Sequence, residues 1–188
     1  MTTEIERIEL IDRIEYSLNG KLHREDGPAI EWGNGNNEWF FNDKLHRTDG
    51  PARERTAGIK EWCFNGQRHR EDGPAVEYAD GTKLWYLNDK LHREDGPAVE
   101  WVNGIKEWYI NGKLHRTDGP AREGENGTKS WWINGKRHRK DGPAIEYANG
   151  NKDWCLNGDK VSKKQVDEFR CKLLLKSLII NRRSYKYF

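Results

Sequence analysis

A fixed interval of 23 residues governs this chain. All six histidines (His23, His46, His69, His92, His115, His138) and all six prolines (Pro28, Pro51, Pro74, Pro97, Pro120, Pro143) keep that spacing without insertion or deletion. Around them runs the string His-Arg-x-Asp-Gly-Pro-Ala-x-Glu. A second anchor is Trp39, Trp62, Trp85, Trp108, Trp131 and Trp154, each followed three residues later by Asn. An uninterrupted period in the range of about 20 to 50 residues marks a stacked array, in which every unit must match the rise of its neighbours. A super-period of 69 lies above it, since the units at His46 and His115 both read Thr-Asp-Gly-Pro-Ala-Arg-Glu. Duplication of a three-unit block accounts for that.

Each unit carries two hairpin signals. One is Asn34-Gly35, Asp80-Gly81, Asn103-Gly104, Asn126-Gly127 and Asn149-Gly150, with Ala57-Gly58 as the exception. The other is Asn19-Gly20, Asn65-Gly66, Asn111-Gly112, Asn134-Gly135 and Asn157-Gly158, with Asn42-Asp43 and Asn88-Asp89 as variants. Asn-Gly suits a two-residue type I′ turn, where both central residues take positive φ. Asp-Gly-Pro is a break of another kind, because proline cannot donate to a ladder. The unit is therefore expected to be a meander of three strands of four to six residues. Two-residue turns would set Val76 opposite Trp85, Trp85 opposite His92, and Tyr86 opposite Leu91. Arg53 and Arg122, which replace Val76, would then lie on Trp62 and Trp131, and Arg137 on Trp132. In that register Trp, His and the Val/Arg position share one stripe, with Ala and Glu of Ala-x-Glu on the opposite face.

Charge divides the chain into three segments: 1–20 as an N-terminal strand segment, 21–158 as six repeats, and 159–188 as a capping helix with a basic tail. Their net charges are −3, −1 and +6. Ser162 and Gln165 have capping-box spacing, and Val166, Phe169, Leu173 and Ile180 fall on one helical stripe, widened by Leu174 and Leu178. A helix over about 162–180 would cover the last repeat, and the alternating Ile11, Ile14, Tyr16 and Leu18 would supply the first strands. Leu, Ile, Val and Phe number only 35 of 188 residues, whereas 21 are aromatic, so the core must be built largely from rings. No stretch reaches the ~18 apolar residues of a membrane span, and the N-terminus lacks the form of a signal peptide. Three cysteines without framework spacing favour a reducing, cytoplasmic setting.

The repeated His-Arg-x-Asp invites metal or catalytic readings, and both fail on geometry. Equivalent histidines two or three strands apart would be separated by about 10–14 Å, too far to share one zinc ion. Every candidate acid, base or nucleophile is also repeated, whereas a catalytic site is one asymmetric constellation. No cofactor or metal is expected, and the histidines read as structural, stacked on Trp or bonded to a turn. Cys63 and Cys155 occupy a position held elsewhere by Phe40, Tyr86, Tyr109 and Trp132, as packing residues would. The arginines admit two readings. One is an Arg–Asp pair within each turn (Arg70 with Asp72), reinforced by Glu77. The other is a row of guanidinium forks beside aromatic rings, suited to phosphates. On that second reading the ligand-binding candidates are His69, Arg70, His92, Arg93, His115, Arg116, Trp85 and Trp108. The near-neutral array argues against nucleic acid as partner.

The unit Trp-x-x-Asn-Gly-Lys-x-His-Arg-x-Asp-Gly-Pro-Ala-x-Glu-Tyr-x-x-Gly-x-Lys resembles the MORN-repeat variants of phage, giant-virus and bacterial proteins, over residues 14–158. It departs from them in placing Arg after His and in the Asp-Gly-Pro-Ala segment. The resemblance implies antiparallel hairpins joined into a long twisted sheet. It also implies a scaffold or binding array, often self-associating, with a viral accessory role in the host cytoplasm by analogy. The expected fold is thus an all-β repeat array of hairpin units in an elongated twisted sheet with a C-terminal capping helix; a propeller, whose blades need about 40 residues, is disfavoured. The expected function is non-catalytic binding of a protein partner, with homo-oligomers compatible. Sequestration of small phosphorylated ligands such as signalling nucleotides is the alternative.

Overall fold

The computed structural model describes the backbone of residues 4–184 and the side chains of residues 4–176. The chain is an all-β array of antiparallel hairpins followed by one helix, Lys163–Ser184. It divides into two compact units, Met1–Gly112 and Lys113–Phe188. In the first, the hairpin Glu6–Glu9/Arg13–Leu18 leads into a ladder of Ile30–Trp32, Asn37–Glu38, Arg53–Glu54, Lys60–Glu61, Val76–Glu77, Lys83–Leu84, Val99–Glu100 and Lys106–Glu107. In the second, Arg122–Glu123, Lys129–Ser130, Ile145–Glu146, Lys152–Leu156 and Asp159–Val161 follow the same alternation.

The unit differs from a three-strand meander. It holds four short segments, as in Val76–Glu77, Lys83–Leu84, Tyr86–Leu87 and Lys90–Leu91. Trp85 is the corner between two hairpins. Its N–H donates to Ala98 O (2.8 Å), while its C=O accepts from the His92 N–H (3.1 Å). The backbone thus changes partners at the tryptophan. All six alanines of the repeated motif are buried at 0% exposure, because a larger side chain has no room where the two hairpins meet.

The two Asn-Gly signals form different turns. At Asn111-Gly112 both residues have positive φ (50° and 75°), as a two-residue type I′ turn requires. Tyr86 accordingly faces Leu91, and Trp132 faces Arg137, as expected. At Asp80-Gly81 only the glycine is left-handed (φ 93°). Tyr78 N–H donates to Thr82 O and Gly81 N–H to Tyr78 O, so the loop has three residues rather than two. Asp80 Oδ1 instead accepts the Thr82 N–H at 2.8 Å.

This extra residue moves the register by one and corrects three expectations. Val76 faces Leu84, not Trp85. Arg53 and Arg122 face Glu61 and Ser130 rather than Trp62 and Trp131. Trp and Glu share one side, because the Arg70 guanidinium reaches the Trp62 ring and Glu77 together, and Val76 sits on the other. In the observed register Leu84 faces both Val76 and Val99, and Glu faces Lys across the three-residue loops. Val76, Leu84 and Val99 form a buried cluster under Tyr86, Leu91 and Tyr109. On the outer face Glu77 faces both Lys60 and Lys83, and Glu100 faces Lys83 and Lys106.

The ends depart from expectation in detail. Ile11 is fully exposed in the turn between the first two strands and contributes to neither. The helix begins with the expected capping box: Ser162 N–H donates to Gln165 Oε1 (2.8 Å), and Gln165 N–H to Ser162 Oγ (3.3 Å). Val166 is buried and Phe169 half-buried, but Leu173 and Leu174 are exposed, so the cover ends after the second turn. Leu178 and Ile180 of the expected stripe lie outside the described side chains. Among the described residues no helix is long and apolar enough to cross a membrane.

Candidate functional site: grooves between successive repeat loops

Each His-Arg-x-Asp-Gly-Pro segment folds around its own arginine. Arg70 Nε donates to Asp72 Oδ1 (2.8 Å), and Nη1 donates to Pro74 O (3.3 Å) and reaches Glu77 Oε1 (3.5 Å). Its Cζ lies 4.1 Å from the Trp62 ring centroid. The other side of the guanidinium rests on Gly73, where a Cβ would stand 2.9 Å from Cζ. That glycine is needed for this close approach and not for its backbone angle, since it is absent from the positive-φ set. The same sandwich recurs at Arg24 on Tyr16 (3.9 Å), Arg47 on Trp39 (4.1 Å), Arg93 on Trp85 (4.2 Å) and Arg139 on Trp131 (3.9 Å). Arg116 donates to Asp118 and Pro120 O at 2.9 and 3.3 Å. The arginine beside each carboxylate holds Asp26, Asp49, Asp72, Asp95 and Asp118 below the usual carboxylate range.

Each histidine ties its unit to the turn of the next. His69, His92 and His115 accept at Nδ1 from the backbone N–H of Asn88, Asn111 and Asn134 at 3.2–3.3 Å. The same Nδ1 atoms lie 2.9, 3.2 and 2.8 Å from the Oδ1 of Asn88, Asn111 and Asn134, so one asparagine holds each ring through both its backbone and its side chain. In the first unit the rings also line up: His23, Phe41, His46, Phe64 and His69 follow at centroid steps of 4.4, 5.8, 4.6 and 6.2 Å. Successive histidines of this row are thus no more than about 11 Å apart, with a phenylalanine ring between them. Among the described residues no three His, Cys, Asp or Glu side chains are grouped to hold a metal ion. His138 differs from the rest. Burial first, and Lys140 second, push its pKa below the usual imidazole value.

Between successive loops lie grooves. One, of about 640 Å³, brings together Arg70, Trp85, His92 and Arg93 with Leu87, Glu71, Asp72, Glu94 and Asp95. Another of similar size has Arg24, Trp39, Phe41, His46 and Arg47. In the second unit a groove of about 880 Å³ holds Arg116, Trp131, His138, Arg139 and Lys140. Of the sequence candidates, four therefore share one groove and Arg116 lines another. His69, Trp108 and His115 are half-buried, and His69 and His115 are engaged with Asn88 and Asn134.

Two features escaped the sequence reading. The x of His-Arg-x-Asp stands on the groove rim and varies as Glu25, Thr48, Glu71, Glu94, Thr117 and Lys140, all exposed. Its variation within an otherwise fixed string was the available signal. The asparagines of the type I′ turns, counted only as turn formers, also anchor the histidines. Cys63 and Cys155 are buried packing residues, as expected, and burial pushes the Cys63 thiol up to about 11, away from the reactive thiolate. Comparison with protein-family models and with curated proteins gives no match.

Proposed function

We propose that the chain is a non-catalytic, repeat-built binding protein that engages a protein partner along the grooves between its loops. The observation that carries this reading is the engagement of the arginines by their own units. Arg70 and Arg93 each spend Nε and Nη1 on carboxylates and a backbone carbonyl, while one face of each lies on an indole ring. What each groove presents outward is the rim. Asp72 and Asp95 have side chains 84% and 83% exposed, and Glu71 and Glu94 stand beside them. Repeated walls with a variable rim suit recognition of an extended surface, where many small contacts add. Equivalent settings at every repeat also support a role without catalysis.

Sequestration of small phosphorylated ligands is the weaker reading, because four carboxylates surround Arg70 and Arg93 in their shared groove. The resemblance to MORN-like repeats supports the binding reading. The test is a photo-crosslinking amino acid placed at Glu71, Glu94 or, as a control, Lys160, in protein made in its own cells. The expected result is a discrete protein adduct from both groove positions and not from the control. Equal labelling at all three sites would overturn the assignment. So would native mass spectrometry showing a small-molecule adduct that is lost on denaturation and raises absorbance at 260 nm.

A further inference from the structure

The two ends of the chain expose complementary surfaces. At the N-terminal end, strand Glu6–Glu9 is bonded among the described residues on one side only, to Arg13–Leu18, and all four of its residues are exposed. Ile8 faces Glu15, which faces Ile30, so Ile8 continues the row in which Ile30 is 7% exposed. Nothing among the described residues covers that continuation: Ile8 and Leu10 are each 43% exposed, as is Ile5 just before the strand. An open strand edge with apolar side chains is a ready template for another chain. Residues 1–20 carry five acidic and two basic groups.

At the C-terminal end, the helix is fixed by its capping box and Val166. Beyond that anchor Leu173 and Leu175 are 38% and 59% exposed, flanked by exposed Lys172 and Lys176. Residues 159–176 carry six basic and three acidic groups. Each end thus pairs exposed apolar side chains with an excess of one sign of charge, and the signs are opposite.

We infer that the C-terminal helix of one copy docks on the N-terminal edge strand of a second copy, a heterologous head-to-tail contact. Charge decides the pairing mode. Joining either end to itself would set −3 against −3 or +3 against +3, whereas joining unlike ends sets acid against base. A head-to-tail contact leaves a free head and a free tail, so it propagates to an open chain or a closed ring rather than stopping at a dimer. This surface is separate from the grooves and does not depend on what they bind.

The test is sedimentation velocity of the full chain from about 10 to 500 µM at low and high salt, covering the range of a modest interface. The weight-average mass should rise past twice the 22.1 kDa of one chain, and high salt should raise the concentration needed several-fold. Two variants identify the mode: Ile5→Lys/Ile8→Lys blocks the head, and Leu173→Glu/Leu175→Glu blocks the tail. Each alone should stay at the mass of one chain, and their equimolar mixture should form two-chain species and nothing larger. If circular dichroism shows the head variant misfolded, Glu6→Lys/Glu9→Lys replaces it with the same expected outcome. A single-chain mass for the wild type at every concentration overturns the inference. So does self-association of the head variant alone, which would mean tail-to-tail pairing, or a mixture that stays monomeric.

Discussion

Replacing Gly73 by alanine tests the reasoning behind the Asp-Gly-Pro turn. Gly73 has no left-handed φ, so the backbone accepts alanine, and the obstacle is Arg70 alone. The new Cβ would stand 2.9 Å from Cζ and 3.1 Å from Nε, and the guanidinium cannot retreat because the Trp62 ring lies 4.1 Å away on its other side. Displacing it forfeits the bond to Pro74 O, about 1.5 kcal/mol for a charged donor, and the stack on Trp62, about 0.5–1 kcal/mol. The ion pair to the exposed Asp72 is screened by water and adds little. Reduced freedom of the unfolded chain returns about 0.4–1 kcal/mol. The net cost is therefore about 1–2 kcal/mol. In an Arg70→Ala background the obstacle is gone, and Gly73→Ala should instead stabilise by about 0.4–1 kcal/mol. Urea unfolding of the four proteins in the cycle measures this. Hydrogen exchange at the Arg70 N–H, which is bonded to Tyr86 O, reports local opening where a repeat array unfolds piecemeal. An equal cost in both backgrounds would refute the proposed role of the glycine.

Other perturbations reach other parts of the framework. Glu38, 7% exposed, is bonded by both Arg53 and Arg55, and Arg53 also meets Glu61. Arg53→Val should cost about 1–3 kcal/mol in urea unfolding, and adding Glu38→Leu, which recreates the Leu84–Val99 pair, should recover most of it. A full loss that persists in the double variant would show that the ion cluster has a role beyond self-neutralisation. His138 has its folded pKa lowered, so the unfolded chain takes up the proton first as pH falls. Its contribution is complete above about pH 6.5 and drains away below that. Urea midpoints between pH 8 and 5 should fall on the acid side, and less so in Lys140→Glu; an identical pH profile in that variant would contradict the assignment. Asn111→Ala forces alanine to φ 50°, costing about 1–2 kcal/mol. Asn103→Ala, outside the positive-φ set, should cost clearly less in the same denaturation assay, and equal costs would mean that the two turns are alike.

The comparison of turns shows where the sequence was ambiguous. Asn111-Gly112 and Asn103-Gly104 are the same dipeptide in the same repeat, yet one closes a two-residue loop and the other a three-residue loop. Local preference allows both. The sequence did hold a discriminating signal: Glu54 and Lys60, Glu77 and Lys83, Glu100 and Lys106, and Glu146 and Lys152 keep one separation across the loop. Requiring opposite charges to face each other gives the observed register. The Arg–Asp–Glu cluster was legible because its members lie within one short segment. The stack of Arg70 on Trp62 was not, since it depends on how two hairpins meet at the corner residue.

By itself, then, the sequence determined the period, the two turn positions of each unit, and the cap that starts the final helix. These follow from local chemistry repeated at fixed spacing, which leaves each unit no freedom to differ from its neighbours. Tertiary structure alone decided the face on which tryptophan meets glutamate and how soon the helix leaves the sheet. Those outcomes depend on burying Val76 against Leu84 and on which side chains meet across strands, energies that come into existence only when separate segments pack.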